Sequence, residues 1–192
     1  MIWLVRHGQT AFNAEGRIQG AKDSPLTALG EEQGRRLGQM LGRIAPKEAR
    51  IIASPLGRTQ HTARIIREHG GFASPIETDA RLAEISLGEW DGMLRGDIRE
   101  RVPDYDAGPN RWSWFFNAPG GDSWDALNTR LQSWLEEAVA TDHPIIAISH
   151  GVSGRILRGL FAQLARDQTL RLDIPQDACF HLRNGSIERI DC

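Results

Sequence analysis

Along the chain, short continuous apolar runs alternate with longer segments striped at helical spacing. Residues 2–6 (IWLVR) and 145–149 (IIAIS) are apolar and rich in β-branched side chains, which predicts strands buried on both faces. RIIAS at 50–54 predicts a weaker strand. After Thr27, an N-cap residue, the positions Leu29, Leu37, Met40, Leu41 and Ile44 recur with helical period, and Glu31 and Glu32 suit the first turn. Ser54 and Pro55 read as the N-cap and first residue of a second helix ending near Gly70. Leu127, Leu131, Leu135 and Ala138 stripe a third helix opened by Asp122 or Ser123, and Val152, Ile156, Leu160 and Leu164 stripe a fourth. CFHLRNGSIERI predicts a hairpin turning at Asn184–Gly185.

Strands alternating with helices predict an α/β fold, a three-layer sandwich whose mostly parallel central sheet is flanked by helices. At 192 residues a single domain over 1–192 is expected, with a cap-like insertion at 93–122, a stretch too long for a simple connection.

Composition narrows the function classes. Apolar residues make up 40% and charged residues 25%, as in ordinary soluble globular proteins. A formal charge of −2 argues against a nucleic-acid partner, which would need a basic excess. No apolar run approaches the ~20 residues of a membrane span, so no membrane partner is expected. The opening MIWLVRHG lacks the sections of a signal peptide, and Cys179 and Cys192 give neither a disulfide framework nor a CxxC pair, so a cytoplasmic protein is expected. Nothing in the sequence speaks to oligomeric state.

The chemistry gathers where strands end. In open α/β sheets, ligands sit beyond the carboxyl ends of the strands. Arg6 and His7 end one strand and His150, in SHG, ends another, so the two histidines are expected above the same sheet edge. A glycine follows each, which suits a sharp turn or a close ligand. Arg6 offers a planar fork for phosphate, and Arg58 lies in the first turn of its helix, where backbone N–H groups favour an anion. A positive pocket around an imidazole nucleophile points to phosphoryl transfer through a phosphohistidine. Metal ligation by His7 and His150 is the competing reading, but no HxH, HExxH or acidic cluster accompanies them, so neither metal nor other cofactor is expected.

LVRHGQTAFNAEGRIQG, SPLGRTQHTA, LAEISLGEWDG and AISHG resemble, in order, the four signatures of the histidine phosphatase (phosphoglycerate mutase-like) superfamily. With the DSPLTALG helix entry, the resemblance runs over most of the chain. It implies that His7 is the nucleophile and that Arg6, Arg58 and His150 hold the phosphoryl oxygens. It also implies that Glu84 protonates the leaving oxygen and then deprotonates the attacking water. Asn13, Gln19, Gly20 and Gly151 would line the phosphate and substrate side. Glu89, five residues beyond Glu84, is the rival acid. Trp112, Trp114, Phe115 and Phe116 are either the core of the insertion or an aromatic wall for the leaving group.

The superfamily holds phosphatases and mutases. RHGQTAFN and GRIQGAKDSPLT are similar to the phosphatase branch, whereas glycolytic mutases usually carry RHGES and a tryptophan-containing GW turn. Val152 follows SHG where those mutases place asparagine, and the chain is shorter; His61 points the other way, toward the mutases. The expectation is a phosphatase of a small phosphorylated metabolite, with mutase-type transfer as the alternative. A non-catalytic phospho-ligand binder is disfavoured, because His7 and Glu84 are both present.

Overall fold

Side chains alternate across the central strands, and each parity feeds a different core. In the computed structural model, which describes residues 1–192, β1 (Ile2–Arg6) sends Trp3 and Val5 to one face and Ile2 and Leu4 to the other. In β4 (Ile145–Ser149), Ile146 and Ile148 join the first set, and Ile145 and Ala147 the second. The first face is covered by α2 (Ala28–Ile44) and α3 (Gly57–Gly70), through Leu37, Leu41 and Ile66. The second is covered by α5 (Trp124–Ala140) and α6 (Gly151–Phe161), through Leu127, Leu131 and Ile156. These are the three layers that the continuous apolar runs imply.

The sheet has six strands in the order β3-β2-β4-β1-β5-β6. Here β2 is Arg50–Ala53, β3 Ile76–Thr78, β5 Ala178–Arg183 and β6 Ser186–Asp191. β3, β2, β4 and β1 pair in parallel; β5 runs antiparallel to β1 and turns back into β6 at Asn184–Gly185. Three short helices complete the chain: α1 (Ala11–Ala14), α4 (Arg95–Arg101) and α7 (Arg166–Leu170). No helix is long and apolar enough to cross a membrane.

Caps follow local chemistry with one instructive exception. The Thr27 hydroxyl accepts from the Gly30 N–H at 3.1 Å, and the Ser123 hydroxyl accepts from Ala126, leaving the Asp122 carboxylate to take the Ser86 N–H. Ser54, however, does not cap α3, which begins at Gly57 after Leu56. Its hydroxyl lies 2.7 Å from His150 Nε2 instead, a tertiary contact that overrides the local preference.

Residues 93–122 hold α4 and a string of turns. Tyr105 and Phe115 are buried, and Trp90, Tyr105 and Trp114 meet edge-on or stacked with centroids 5.4–6.4 Å apart. The segment is thereby fused to the second core, under which Ile98 is also buried.

Candidate active site

The parallel register of β1 and β4 assembles the centre of the site. Arg6 is opposite Ser149, so the next residue on each strand, His7 and His150, emerges at the same height. Their rings lie 5.3 Å apart at 60°. His7 is 3% exposed and its Nδ1 lies 2.8 Å from the Gly8 carbonyl. A carbonyl only accepts, so Nδ1 carries the proton and Nε2 keeps its lone pair in the neutral ring. The ring is held neutral: burial first, then Arg6 and Arg58, push its pKa well below 6.5.

His150 is oriented from both sides. Arg58 Nε donates to His150 Nδ1 at 3.2 Å, which leaves Nε2 as the N–H donor to Ser54 Oγ. Burial, Arg58 and His7 lower its pKa too. Both ring nitrogens are thus engaged with protein groups, and His150 sits behind the cavity rather than on its wall. Through Nδ1, His150 accepts from Arg58 and helps orient it.

Arg58, 2% exposed, is the hub of the floor. Beyond His150, Nη1 donates to the Lys22 carbonyl and to Asp23 Oδ1, and Nη2 to the Gly20 carbonyl at 2.9 Å. Four of its five N–H groups are therefore committed, and one is left for a ligand. Its backbone N–H, expected to favour a ligand anion, already donates to Asp23. Arg6 donates Nη1 to the Ile174 carbonyl, while its Nε is buried without a partner. Burial pushes the Arg6 pKa down to about 10, opposed by Glu84, so it stays cationic at neutral pH.

Glu84 lines the same cavity, whereas Glu89 is exposed and does not. The Glu84 carboxylate accepts from the Val152 and Ser153 N–H groups, the Ser153 hydroxyl and the Ile85 N–H at 2.9–3.1 Å. Val152 and Ser153 open α6, so it is this helix N-terminus that faces a negative group.

The loop from Thr10 to Ser24 forms the near wall. Asn13 Oδ1 accepts from Thr10 N–H and from Gln176, whose amide also reaches the His7 carbonyl. The Gln19 amide spans Thr10 and Ser24. Gly20 has φ +53°, and a Cβ there would lie 1.7 Å from Asp91 Oδ1, so only glycine fits. The glycine after His7 has a different role from the one expected. A Cβ on Gly8 would stand 2.2 Å from the Gly30 carbonyl oxygen, so Gly8 admits the first turn of α2 rather than a ligand. Gly151 is free of such crowding and lines the cavity.

These residues enclose a cavity of about 250 Å³ lined by six arginines and, as its only carboxylate, Glu84. Sequence reasoning named Arg6 and Arg58 but missed Arg17, Arg95, Arg111 and Arg155. Arg155 had a signal, since it lies four residues after Gly151 and hence on the same face of α6. Its Nε is also buried without a partner. Trp114 and Phe115 line the cavity and pack in the second core, Trp112 lines the cavity only, and Phe116 packs on the core only. Nowhere are three or more His, Cys, Asp or Glu side chains grouped to hold a metal ion. Chemically, the arrangement presents an unprotonated imidazole nitrogen, cationic donors for an anion, and a carboxyl group to move a proton.

Comparison with known proteins agrees with that chemistry. Residues 2–187 match the family model described as histidine phosphatase superfamily (branch 1). The chain is 36% identical over 199 residues to the "Probable phosphoglycerate mutase GpmB" of Enterobacter sp. (strain 638), covering 99% of this chain and 84% of the relative. Among solved structures it is similar to the mycobacterial glucosyl-3-phosphoglycerate phosphatase complexed with VO3, at 26% identity and TM-score 0.79, covering 99% of this chain and 96% of that one. The alpha-ribazole phosphatase of Shigella flexneri shares the fold at 23% identity and TM-score 0.81, covering 99% and 94%.

Proposed function

The chain belongs to branch 1 of the histidine phosphatase superfamily, and from that premise we propose that it is a phosphomonoesterase acting on a small phosphorylated metabolite through a phosphohistidine. The observation that carries the reading is the His7 tautomer: Nδ1–H is tied to Gly8, and the Nε2 lone pair belongs to a neutral ring in an arginine-lined cavity. His7 Nε2 attacks phosphorus while the bond to the leaving oxygen breaks, and that oxygen takes a proton from Glu84. Water then attacks the phosphohistidine, giving its proton to Glu84 and freeing inorganic phosphate. The spare N–H of Arg58 and the unpartnered Nε groups of Arg6 and Arg155 receive the phosphoryl oxygens as charge builds. Asn13, Gln19, Gly20 and Gly151 shape the substrate side, and the cytoplasm is the compartment this reading assumes.

One observation favours a second reading, a mutase: the 36% identity to a relative described as a phosphoglycerate mutase. A phosphatase hands the phosphoryl group to water, whereas a mutase returns it to the organic product. Phosphorus NMR of reactions with a panel of phosphorylated metabolites separates the two. Free phosphate, with a phosphohistidine trapped by acid-free quenching, supports the phosphatase; positional isomers without phosphate support the mutase. Because the arginines supply the positive charge, EDTA is expected to leave the rate unchanged.

A further inference from the structure

Gln176 does not line the cavity, yet it grips two residues that do, His7 and Asn13. We propose that Gln176 is a positioning residue for the reaction: it fixes the Asn13 amide so that Nδ2–H, and not Oδ1, meets the phosphoryl group. This rests on the phosphomonoesterase reading and adds a residue to the same site.

The sheet explains how so distant a residue arrives there. β5 pairs antiparallel with β1, Cys179 opposite Val5, so the chain entering β5 passes the end of β1, where Arg6 and His7 stand. That approach is anchored: the Ile174 carbonyl accepts from Arg6 Nη1 at 2.6 Å, and Asp173 pairs with Arg158 and Arg189. From it the Gln176 side chain reaches the His7 carbonyl and Asn13 Oδ1, 3.1 Å from each. Backbone groups settle the orientation of both amides. A carbonyl only accepts, so the Gln176 atom facing His7 is Nε2. An N–H only donates, so the Asn13 atom facing Thr10 N–H at 3.2 Å is Oδ1. The two assignments agree, because Nε2 then donates to Oδ1. Oδ1 thus accepts twice, and Nδ2 is the only polar atom of the Asn13 side chain without a protein partner. Asn13 lines the cavity, so what it offers an anion there is a donor. Flipped, the amide would turn a carbonyl dipole toward the phosphoryl oxygens and set Nδ2 against the N–H groups of Thr10 and Gln176. Thr10 supplies one of those donors from the cap of α1; Gln176 supplies the second from 163 residues along the chain.

Orthovanadate, a stand-in for the phosphoryl group, tests this through its Kd measured by calorimetry. Gln176→Met keeps the length and removes the donor; it should weaken binding about three- to tenfold, as loss of one hydrogen bond does. Asn13→Ala should weaken it about tenfold or more, as loss of a charge-assisted bond does. In the Asn13→Ala background, Gln176→Met should add nothing further, because the amide it orients is gone. A glutamine that only supports the backbone predicts the opposite, losses that multiply. Equal losses in both backgrounds, or undiminished binding by Gln176→Met, overturns the proposal. If Gln176→Met does not fold, nuclear magnetic resonance of the unaltered protein decides. The Asn13 side-chain amide resonance should shift on adding orthovanadate, and the Gln176 amide protons should exchange with D2O more slowly than those of a free amide. A stationary Asn13 resonance, or exchange at the free rate, overturns it. None of these readouts needs turnover, so they stand apart from the phosphomonoesterase reading, which falls instead if the metabolite panel releases no phosphate.

Discussion

The floor and the outer wall of the cavity are built on opposite principles. On the floor, three polar side chains are fixed by several partners each: Arg58 by four acceptors, Glu84 by four donors, His150 by Arg58 and Ser54. On the wall, Arg111 is held by a stack on a tryptophan that is itself 39% exposed. A floor of this kind is held in one geometry, whereas a wall of this kind has fewer contacts to fix it. The difference is energetic: each floor group is desolvated and loses much when a partner goes, whereas wall groups stay near water and lose little.

The sharpest way to break the comparison is at the nucleophile. His7→Ala should lower turnover by roughly 10³-fold or more while leaving the far-ultraviolet circular dichroism unchanged, as expected for loss of a covalent catalyst. A variant with near-normal kcat would remove His7 from the chemistry.

Next in size is Glu84→Gln. General acid catalysis contributes roughly 10²–10⁴-fold, and an alkoxide needs the proton far more than a nitrophenolate does. Rapid-quench measurement of phosphohistidine formation should therefore show a large defect with alkyl phosphates and a small one with p-nitrophenyl phosphate. The second step slows for both, so the variant stalls as phosphohistidine with the aryl substrate. Glu89→Gln, exposed and off the cavity, should do neither; equal slowing of the first step for both substrates would take the acid role from Glu84.

A third contrast sets floor against wall in stability. Ser54→Ala strands the buried His150 Nε2 and should cost about 1–3 kcal/mol in urea unfolding. Trp112→Ala should stay within about 0.5 kcal/mol, as exposed substitutions do. Similar losses at both sites would erase the distinction.

The smallest effect is in pH. His7 and His150 are held neutral in the fold, with pKa values well below the 6.5 of an unconstrained histidine. Below pH 6.5 the unfolded chain therefore binds protons that the folded chain refuses, and stability falls as pH falls toward the folded-state values. The urea midpoint should drop between pH 7.5 and 5.5, and His7→Ala should flatten that slope; an unchanged slope would mean that His7 titrates normally. The depressed carboxylates Glu32, Glu77 and Asp79 act in the same direction but at lower pH.

Much of the floor was legible because its residues follow strand ends directly. An apolar run that stops at Arg6–His7 announces a strand terminus, and a second at Ser149–His150 announces its neighbour. What sequence reasoning got wrong was the partner of each group. Ser54 looks like a helix cap and instead orients His150; Gly8 looks like room for a ligand and instead admits α2. β3 went unread because three half-exposed residues carry no periodic signal.

The sequence by itself determined the main strands and the four long helices, the three layers and the positions of the two histidines, because periodicity and strand termini are local properties of the chain. Only the tertiary structure decided which nitrogen of each histidine holds the proton, since that depends on acceptors at Gly8 and Ser54 and a donor at Arg58. Tertiary structure also separated Glu84 from Glu89, five residues apart, by holding one against the start of α6 and turning the other to solvent. It likewise gathered Arg17, Arg95, Arg111 and Arg155 around one cavity from distant parts of the chain. A single arginine in a sequence has no local signature; its meaning comes from the charges that folding sets beside it, and from those it leaves out.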